Sequence, residues 1–523
     1  MTSPDHEPRL PAPEQGAPES GSPNEMGGPG RGVSLRAIEE RPLTEMVRIA
    51  LPSVVTMTSY TLMQFIDTLM VSRITPADPV YVAAQGNGGM LVWQMIAALL
   101  GVITIINTYV SQHLGAGTPE AGPRYAWAGM YMSAAFGLLM FPFALAMPMI
   151  FGAYGHEGQL LELEVEYGRI VAIGGGVVLA GRALHHYFFG LHRPGVVMVA
   201  AIIGNVVNVV INYALIFGHF GMPEMGVAGA AVGTVIGGVF ELGIPLIIFL
   251  GPKMNKALGT RAAFRCGWAP FKDIIRLGWP GGLMMANEMF CWGYLMTNLL
   301  VRAGEAAGED GGVHNAAGWI ALRYMHMSFM PAVGMSIAVT AMIGKCMGMG
   351  RPDLAAKRAW LGLGITVAYM GTMAVIFVVF REELVRIFVP EETPQELIDE
   401  IVRVGALVMI AAAVFQVFDA IAIVMSAALR GAGDTVWPGL VTVGLSWGCL
   451  VLGGHAMIAI VPHWGSVGPW IGAAAFIIIL GIVLFARFLK GGWREIDVVG
   501  GSEAGVPIAG APGPVLEHTP DDR

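Results

Sequence analysis

The sequence predicts an all-α polytopic membrane protein, twelve transmembrane helices in two six-helix lobes related by a pseudo-two-fold axis along the membrane normal. Three observations carry that expectation. Of 523 residues, 55% are apolar and only 13% charged, against about 45–50% and about 25% in soluble domains. Apolar runs long enough to cross a bilayer, about 20 residues each, recur twelve times. The loops between them repeat in order at a nearly constant offset. Together these exclude a soluble globular protein.

The expected spans are 45–72, 84–112, 126–151, 165–189, 195–218, 226–250, 274–301, 316–344, 358–381, 402–429, 436–460 and 466–489. Residues 1–42 and 491–523 are rich in Pro, Gly, Ser and Glu and read as disordered tails; the start lacks the apolar core of a signal peptide. The expected domains are therefore a first lobe at 43–252, a linker at 253–272 and a second lobe at 273–490. Gly, at 72 residues, is about twice its usual share, which suits close helix approach in lipid.

Lys and Arg gather in loops on one face: Lys253, Lys256, Arg261, Arg265, Lys272 and Arg276 after the sixth span, then Lys345, Arg351, Lys357 and Arg358 after the eighth. The opposite loops are acidic, with Glu157, Glu162, Glu164 and Glu166, then Glu305, Glu309 and Asp310, then Glu391, Glu392, Glu396, Asp399 and Glu400. Both termini are thus expected in the cytoplasm. The net charge of −8 is spread over tails and loops and implies no nucleic-acid partner. Cys266, Cys291, Cys346 and Cys449 have no metal spacing and read as reduced thiols.

The repeat is legible in three pairs of motifs. Arg48-Ile-Ala-Leu-Pro52 matches Arg276-Leu-Gly-Trp-Pro280, an offset of 280 − 52 = 228. Gly115-Ala-Gly117-Thr-Pro119-Glu120 matches Gly348-Met-Gly350-Arg-Pro352-Asp353, an offset of 350 − 117 = 233. Gly190-Leu-His-Arg-Pro194 matches Gly431-Ala-Gly-Asp434-Thr435, an offset of 431 − 190 = 241. One such motif is an ordinary helix stop and start; three in order mark two copies of parallel topology. The architecture is that of a transporter.

Three acids fall deep within spans, where a carboxylate costs about 2.5–3.5 kcal/mol on the gentlest scale. They are Asp67, Glu288 and Asp419. The structural reading pairs each with Arg182 or Arg323, or with Ser, Thr or Asn; the functional reading has a proton or metal cation balance the charge. In the first lobe Asn208 and Asn212 share a helix face, and with Asp67 could offer oxygen ligands to a small cation. Gln64 and Asn107 are candidates to join, with helix packing the plainer role for Asn107 and Asn205. Met285 near Phe290 and Phe329 would suit a pliable wall for varied apolar ligands, beside Gln416 one turn before Asp419. His185, His186 and His326 lack a metal motif and are assigned to packing or proton handling.

The segments Leu51-Pro52, Asp67-Thr68-Leu-Met70-Val71, Val110-Ser-Gln112-His-Leu-Gly115, Asn208-Val-Val-Ile-Asn212, Gly226-Val-Ala-Gly-Ala-Ala231 and Leu429-Arg430-Gly431-Ala-Gly433-Asp434-Thr435 together resemble the multidrug and toxic compound extrusion (MATE) family. Phe220-Gly221-Met-Pro223-Glu224-Met-Gly226 and the placement of Glu288 and Asp419 resemble its bacterial NorM-like branch. The resemblance runs from about residue 43 to 490. It implies an inner-membrane antiporter, without enzymatic activity or cofactor, that expels amphipathic organic cations by alternating access of its lobes in exchange for Na⁺ or H⁺. It assigns cation coupling, with Na⁺ as one candidate ion, to Asp67, Asn208 and Asn212 in the first lobe and to Glu288 and Asp419 in the second. A contact role with substrate falls on Gln64, Met285, Phe290, Phe329 and Gln416, and a monomer is expected. The competing reading is a lipid-linked precursor flippase of the same superfamily, which should line its cleft with cations; only Arg182 and Arg323 lie deep. A membrane enzyme would need a nucleophile with its base or a metal cluster, and neither is present in the sequence.

Overall fold

Hydropathy marks the apolar middle of each helix, so several helices overrun their expected spans by a few residues at one or both ends, while four match them to within one residue. The protein, here as a computed structural model, is described over residues 42–76, 78–389 and 394–500. Of the tails expected at 1–42 and 491–523, residues 1–41 and 501–523 lie outside these residues, as do Glu391 and Glu392. Among the described residues there are twelve long helices and no strand: α1 (Pro42–Val71), α2 (Pro79–Gly115), α3 (Gly122–Ala153), α4 (Gly158–Gly190), α5 (Pro194–Phe217), α6 (Gly226–Leu250), α7 (Ala269–Tyr294, continued by Leu295–Leu299 and Leu300–Ala307), α8 (Gly311–Gly348), α9 (Pro352–Val379), α10 (Gln395–Ala432), α11 (Val436–Ile460) and α12 (Val467–Lys490). Ten are long and apolar enough to cross a membrane; α4 and α7 carry more polar and charged residues along their length.

The ends follow ordinary chemistry. Asp78 accepts from the Val80 N–H at 2.9 Å to open α2, and Asp310 accepts from the Gly312 N–H at 2.8 Å to open α8. Pro starts α2, α5 and α9, where its missing N–H costs nothing. Two short helices unmarked by hydropathy, Pro252–Leu258 and Arg381–Ile387, lie in the charged connections. The linker is fastened to α3, where Trp127 donates to the Thr260 carbonyl at 2.8 Å and the Tyr131 hydroxyl to that of Phe264 at 2.9 Å. Residues 491–500, expected within a disordered tail, are packed instead. Trp493 is 1% exposed, stacks on Phe488 at 4.9 Å and donates to its carbonyl, and Val498 is buried. Two apolar anchors in a polar stretch are too few to register in composition.

The two six-helix copies meet along a seam whose contacts come in symmetric pairs. Gly115 at the end of α2 lies against the Lys345 carbonyl of α8, and Gly348 at the end of α8 lies against the Gln112 carbonyl of α2. The partners are equivalent: 348 − 115 = 233 and 345 − 112 = 233. Each copy's opening helix begins on the other lobe. Glu45 of α1 meets Arg358 of α9 at 3.3 Å and Lys345 at 3.8 Å, while Asp273 of α7 accepts from the Tyr125 hydroxyl of α3 at 2.9 Å. Again the offsets agree: 273 − 45 = 228 and 358 − 125 = 233. Further along, Gly334 of α8 packs on the Val54 backbone of α1, and Gly101 of α2 packs on Gly281 and Gly282 of α7. Absence of a side chain at these glycines lets backbones touch.

The copies differ in one respect. α7 and α11 each contain a π-helical stretch, Leu295–Leu299 and Ser446–Leu452, whereas α1 and α5, at the equivalent places in the first lobe, are α-helical throughout. Such stretches insert a residue into the turn and often lie near functional side chains.

Candidate functional site

Asp67 lies in the last turns of α1, which face α5 rather than the second lobe. Its carboxylate is buried and accepts from Asn212 Nδ2 at 2.8 Å. The same amide nitrogen is 3.4 Å from Asn208 Oδ1. Tyr167 of α4, also buried, stands near enough for the Asp67 charge to act on its hydroxyl. Gly233 of α6 makes room for this arrangement, since a Cβ there would collide with Asn212 Oδ1. The three residues assigned to one site from the sequence are therefore together, with amide and carboxylate oxygens as the available donors. Gln64, one turn before Asp67, is exposed. Asn107 is elsewhere: its Nδ2 crosses the seam to the Ile337 carbonyl at 3.2 Å.

A second buried polar group lies two turns earlier on α1. The Tyr60 hydroxyl donates to Glu241 Oε2 of α6 at 3.2 Å, Arg182 Nη2 of α4 lies 3.6 Å from that oxygen, and its guanidinium covers the Tyr60 ring at 4.1 Å. His185 Nε2 lies 3.3 Å from the Glu241 carbonyl, and Asn205 Nδ2 donates to Ser59 Oγ at 3.0 Å. Sequence reading missed Glu241, an acid in an apolar helix that a simple search of the spans for charge would have found. It is this residue, not Asp67, that Arg182 neutralises.

In the second lobe Glu288 of α7 and Asp419 of α10 are half-buried, and the Glu288 charge reaches Asp419. Among the described residues neither has a hydrogen bond or an ion-pair partner. Arg323, the expected cation of this lobe, is exposed and lies over Phe388 at 5.6 Å, beyond the end of α9. The guanidinium whose charge does reach Glu288 is that of Arg430, which sequence reading quoted only as part of a loop motif.

The residues expected to contact substrate do not form one wall. Gln416 is 1% exposed and accepts from Ser328 Oγ at 3.1 Å, inside the second lobe. Met285 packs against the apolar core of the first lobe. Phe290 is half-exposed and stacks on Trp447 of α11 at 5.7 Å and on Tyr294 at 6.4 Å, and Phe329 is half-buried on α8. Trp447 is itself held by Asn287, whose Oδ1 accepts from the indole N–H at 2.8 Å. His326 is exposed on α8. Among the described residues no three His, Cys, Asp or Glu side chains gather to hold a metal ion.

Comparison with known proteins places this geometry. The chain is 27% identical to a probable multidrug resistance protein NorM of Thermotoga maritima, over 87% of this chain and 94% of that one. It is 28% identical to the multidrug resistance protein PmpM of Pseudomonas aeruginosa, over 80% and 83%. Its fold matches that of a MOP superfamily transporter from Pyrococcus furiosus with a TM-score of 0.78 at 21% identity, covering 87% of this chain and 97% of the other. A eukaryotic MATE transporter, AtDTX14, matches with a TM-score of 0.73 at 16% identity, covering 87% and 97%. The family model for MatE matches twice, at residues 52–214 and 289–451, once in each six-helix copy. This multi-pass membrane protein, a transporter and not an enzyme, belongs to the MatE family.

Proposed function

We infer that the protein is a multidrug efflux antiporter that exchanges amphipathic organic cations for Na⁺ or H⁺. The observation that carries this reading is the pair Glu288 and Asp419, two intramembrane carboxylates with no hydrogen-bond or ion-pair partner among the described residues; of the two, only Glu288 feels a fixed cation, Arg430. Leaving them both ionised and unpaired in a low-dielectric interior is costly, so a mobile cation balances them: an inorganic ion in one half of the cycle, an organic cation in the other. Asp67 with Asn208 and Asn212 is a second cation site, built from oxygens suited to a small hard ion. Binding at either site drives the cycle only insofar as it differs between conformations.

The names of the NorM and PmpM relatives support multidrug efflux as the activity. A flippase for anionic lipid-linked precursors is disfavoured because Arg182 is paired with Glu241, Arg323 lies away from the acids, and Arg430 is a single guanidinium facing the acid Glu288. The basic loops support an orientation in a bacterial inner membrane with the Gly115 and Gly348 end and both termini on the cytoplasmic side. The seam contacts close that end, so the state described is shut toward the cytoplasm. A monomer suffices, because both lobes are in one chain.

The test is reconstitution in liposomes. An imposed Na⁺ or H⁺ gradient should drive movement of a fluorescent organic cation, and Glu288→Gln or Asp419→Asn should abolish it. Gradient-driven transport that survives both substitutions together would remove these acids from the mechanism.

A further inference from the structure

An antiporter that couples through Glu288 must keep its ion from slipping along the lobe seam to the closed end. α7 runs down the seam from Glu288 through Met284 and Gly281 to Leu277, and there a cavity of about 20 Å³, room for one water molecule, opens between α2, α7, α10 and α11. Its polar lining comes from Thr104, Ser426, Arg430, Asp434 and Thr435. Arg430 is held in place through its backbone: its carbonyl accepts from Thr108 Oγ1 of α2 at 2.9 Å, and the next carbonyl, of Gly431, accepts from Gln112 Nε2 at 3.0 Å. Its guanidinium has no hydrogen bond or ion pair among the described residues. Asp434, one turn beyond, is already paired with Arg487 at 2.9 Å. The Arg430 guanidinium thus stands in the seam without an ion-pair partner among the described residues, its charge reaching Glu288 on one lobe and His186 on the other.

We propose that Arg430 is an electrostatic barrier that stops the coupling cation from leaking between Glu288 and the closed end of the seam. A fixed guanidinium lining a cavity of one-water size repels cations and protons and leaves water and neutral solutes unaffected, a device that pores use for selectivity. The repeat supports the assignment by its asymmetry. The residue equivalent to Arg430 in the first lobe, at 430 − 241 = 189, is Phe189, fully packed in the core. Only the lobe with the unpaired acids carries the barrier.

This inference rests on the cation-coupling reading above. Liposomes bearing wild type, Arg430→Met, Arg430→Gln or Arg430→Lys protein are loaded with a pH- or Na⁺-sensitive dye and given an inward gradient with no organic cation present. The expected result is a cation influx at least tenfold above wild type for the Met and Gln variants, near wild type for Lys, and chloride flux unchanged in all. Separating the neutral variants from Lys distinguishes a charge barrier from a packing role. Neutral variants as tight as a wild type that performs gradient-driven exchange would overturn the barrier alone. A wild type that moves no organic cation under either gradient would overturn the coupling reading and the barrier with it.

Discussion

Gly348→Ala should open the seam without unfolding either lobe. The added Cβ would lie 2.7 Å from the Gln112 carbonyl carbon and 2.9 Å from its Cα, where ordinary contact begins at 3.4 Å. The ends of α2 and α8 must therefore part by about 0.7 Å or more, and the obstacle is backbone, which cannot swing aside. Overpacking of this kind costs about 1–3 kcal/mol. Alanine's helix preference over glycine, about 1 kcal/mol, acts equally whether the seam is open or closed and cancels from that equilibrium. The closed state alone bears the clash, so its population relative to the open state should fall by about 5–150-fold. Spin labels at Glu120→Cys and Lys357→Cys, in a background with the four native cysteines replaced by alanine, report the distance across this end. A growing long-distance population at unchanged melting temperature is expected. If the distance distribution stays as in the parent while the protein merely melts earlier, the glycine contact is ordinary packing and the reasoning fails.

The two kinds of buried acid should respond oppositely to neutralisation. Glu241→Ala strands the Arg182 guanidinium and should cost about 3–5 kcal/mol of stability, whereas Glu288→Gln removes no partner and should leave the melting temperature in detergent within a degree or two, about 0.5 kcal/mol. Trp493→Ala should cost about 3–5 kcal/mol by emptying a fully buried site and make residues 491–500 sensitive to protease, which limited proteolysis reads directly. At the far end of the second lobe, burial raises the Glu309 carboxyl, but its bonds to His314 at 2.6 Å and Arg403 at 2.7 Å outweigh that and hold it below the ordinary 4.5. A depressed carboxyl contributes stability above its unfolded value that is lost as the pH falls through the lower folded one. The melting difference between wild type and Glu309→Gln should therefore be constant above pH 4.5 and shrink below it; a difference that grows on acidification would contradict the assignment.

How much of this was legible beforehand depends on whether the signal was local. Twelve apolar runs and repeated loop motifs depend only on neighbouring residues, and they gave the helices and the repeat. Asp67, Asn208 and Asn212 were legible as a group because Asp67 is an acid deep within a span and Asn208 and Asn212 share a face, a grouping the motif resemblance then reinforced. Partner choice was not local. Arg182 could have met any acid, and only the packing of α1, α4 and α6 assigns it to Glu241. Gln416 looked available for substrate because it lies on the same helix as Asp419, yet a three-residue step turns it about 60° away, into contact with Ser328. Trp493 lay in a stretch whose composition is that of a tail, and two anchoring side chains outweighed it.

The seam contact between α2 and α8 has the form of an isologous interface, in which one surface patch meets its own copy: Gly115 on Lys345 reciprocates Gly348 on Gln112. Such a patch closes a two-fold dimer by itself. A single six-helix chain bearing it could have assembled with a second identical chain before the halves were joined, each opening helix reaching across to its twin. Held in one chain, two such halves need not stay identical: Arg430 of one corresponds to Phe189 of the other, and among the described residues only the second half carries π-helical stretches in these helices.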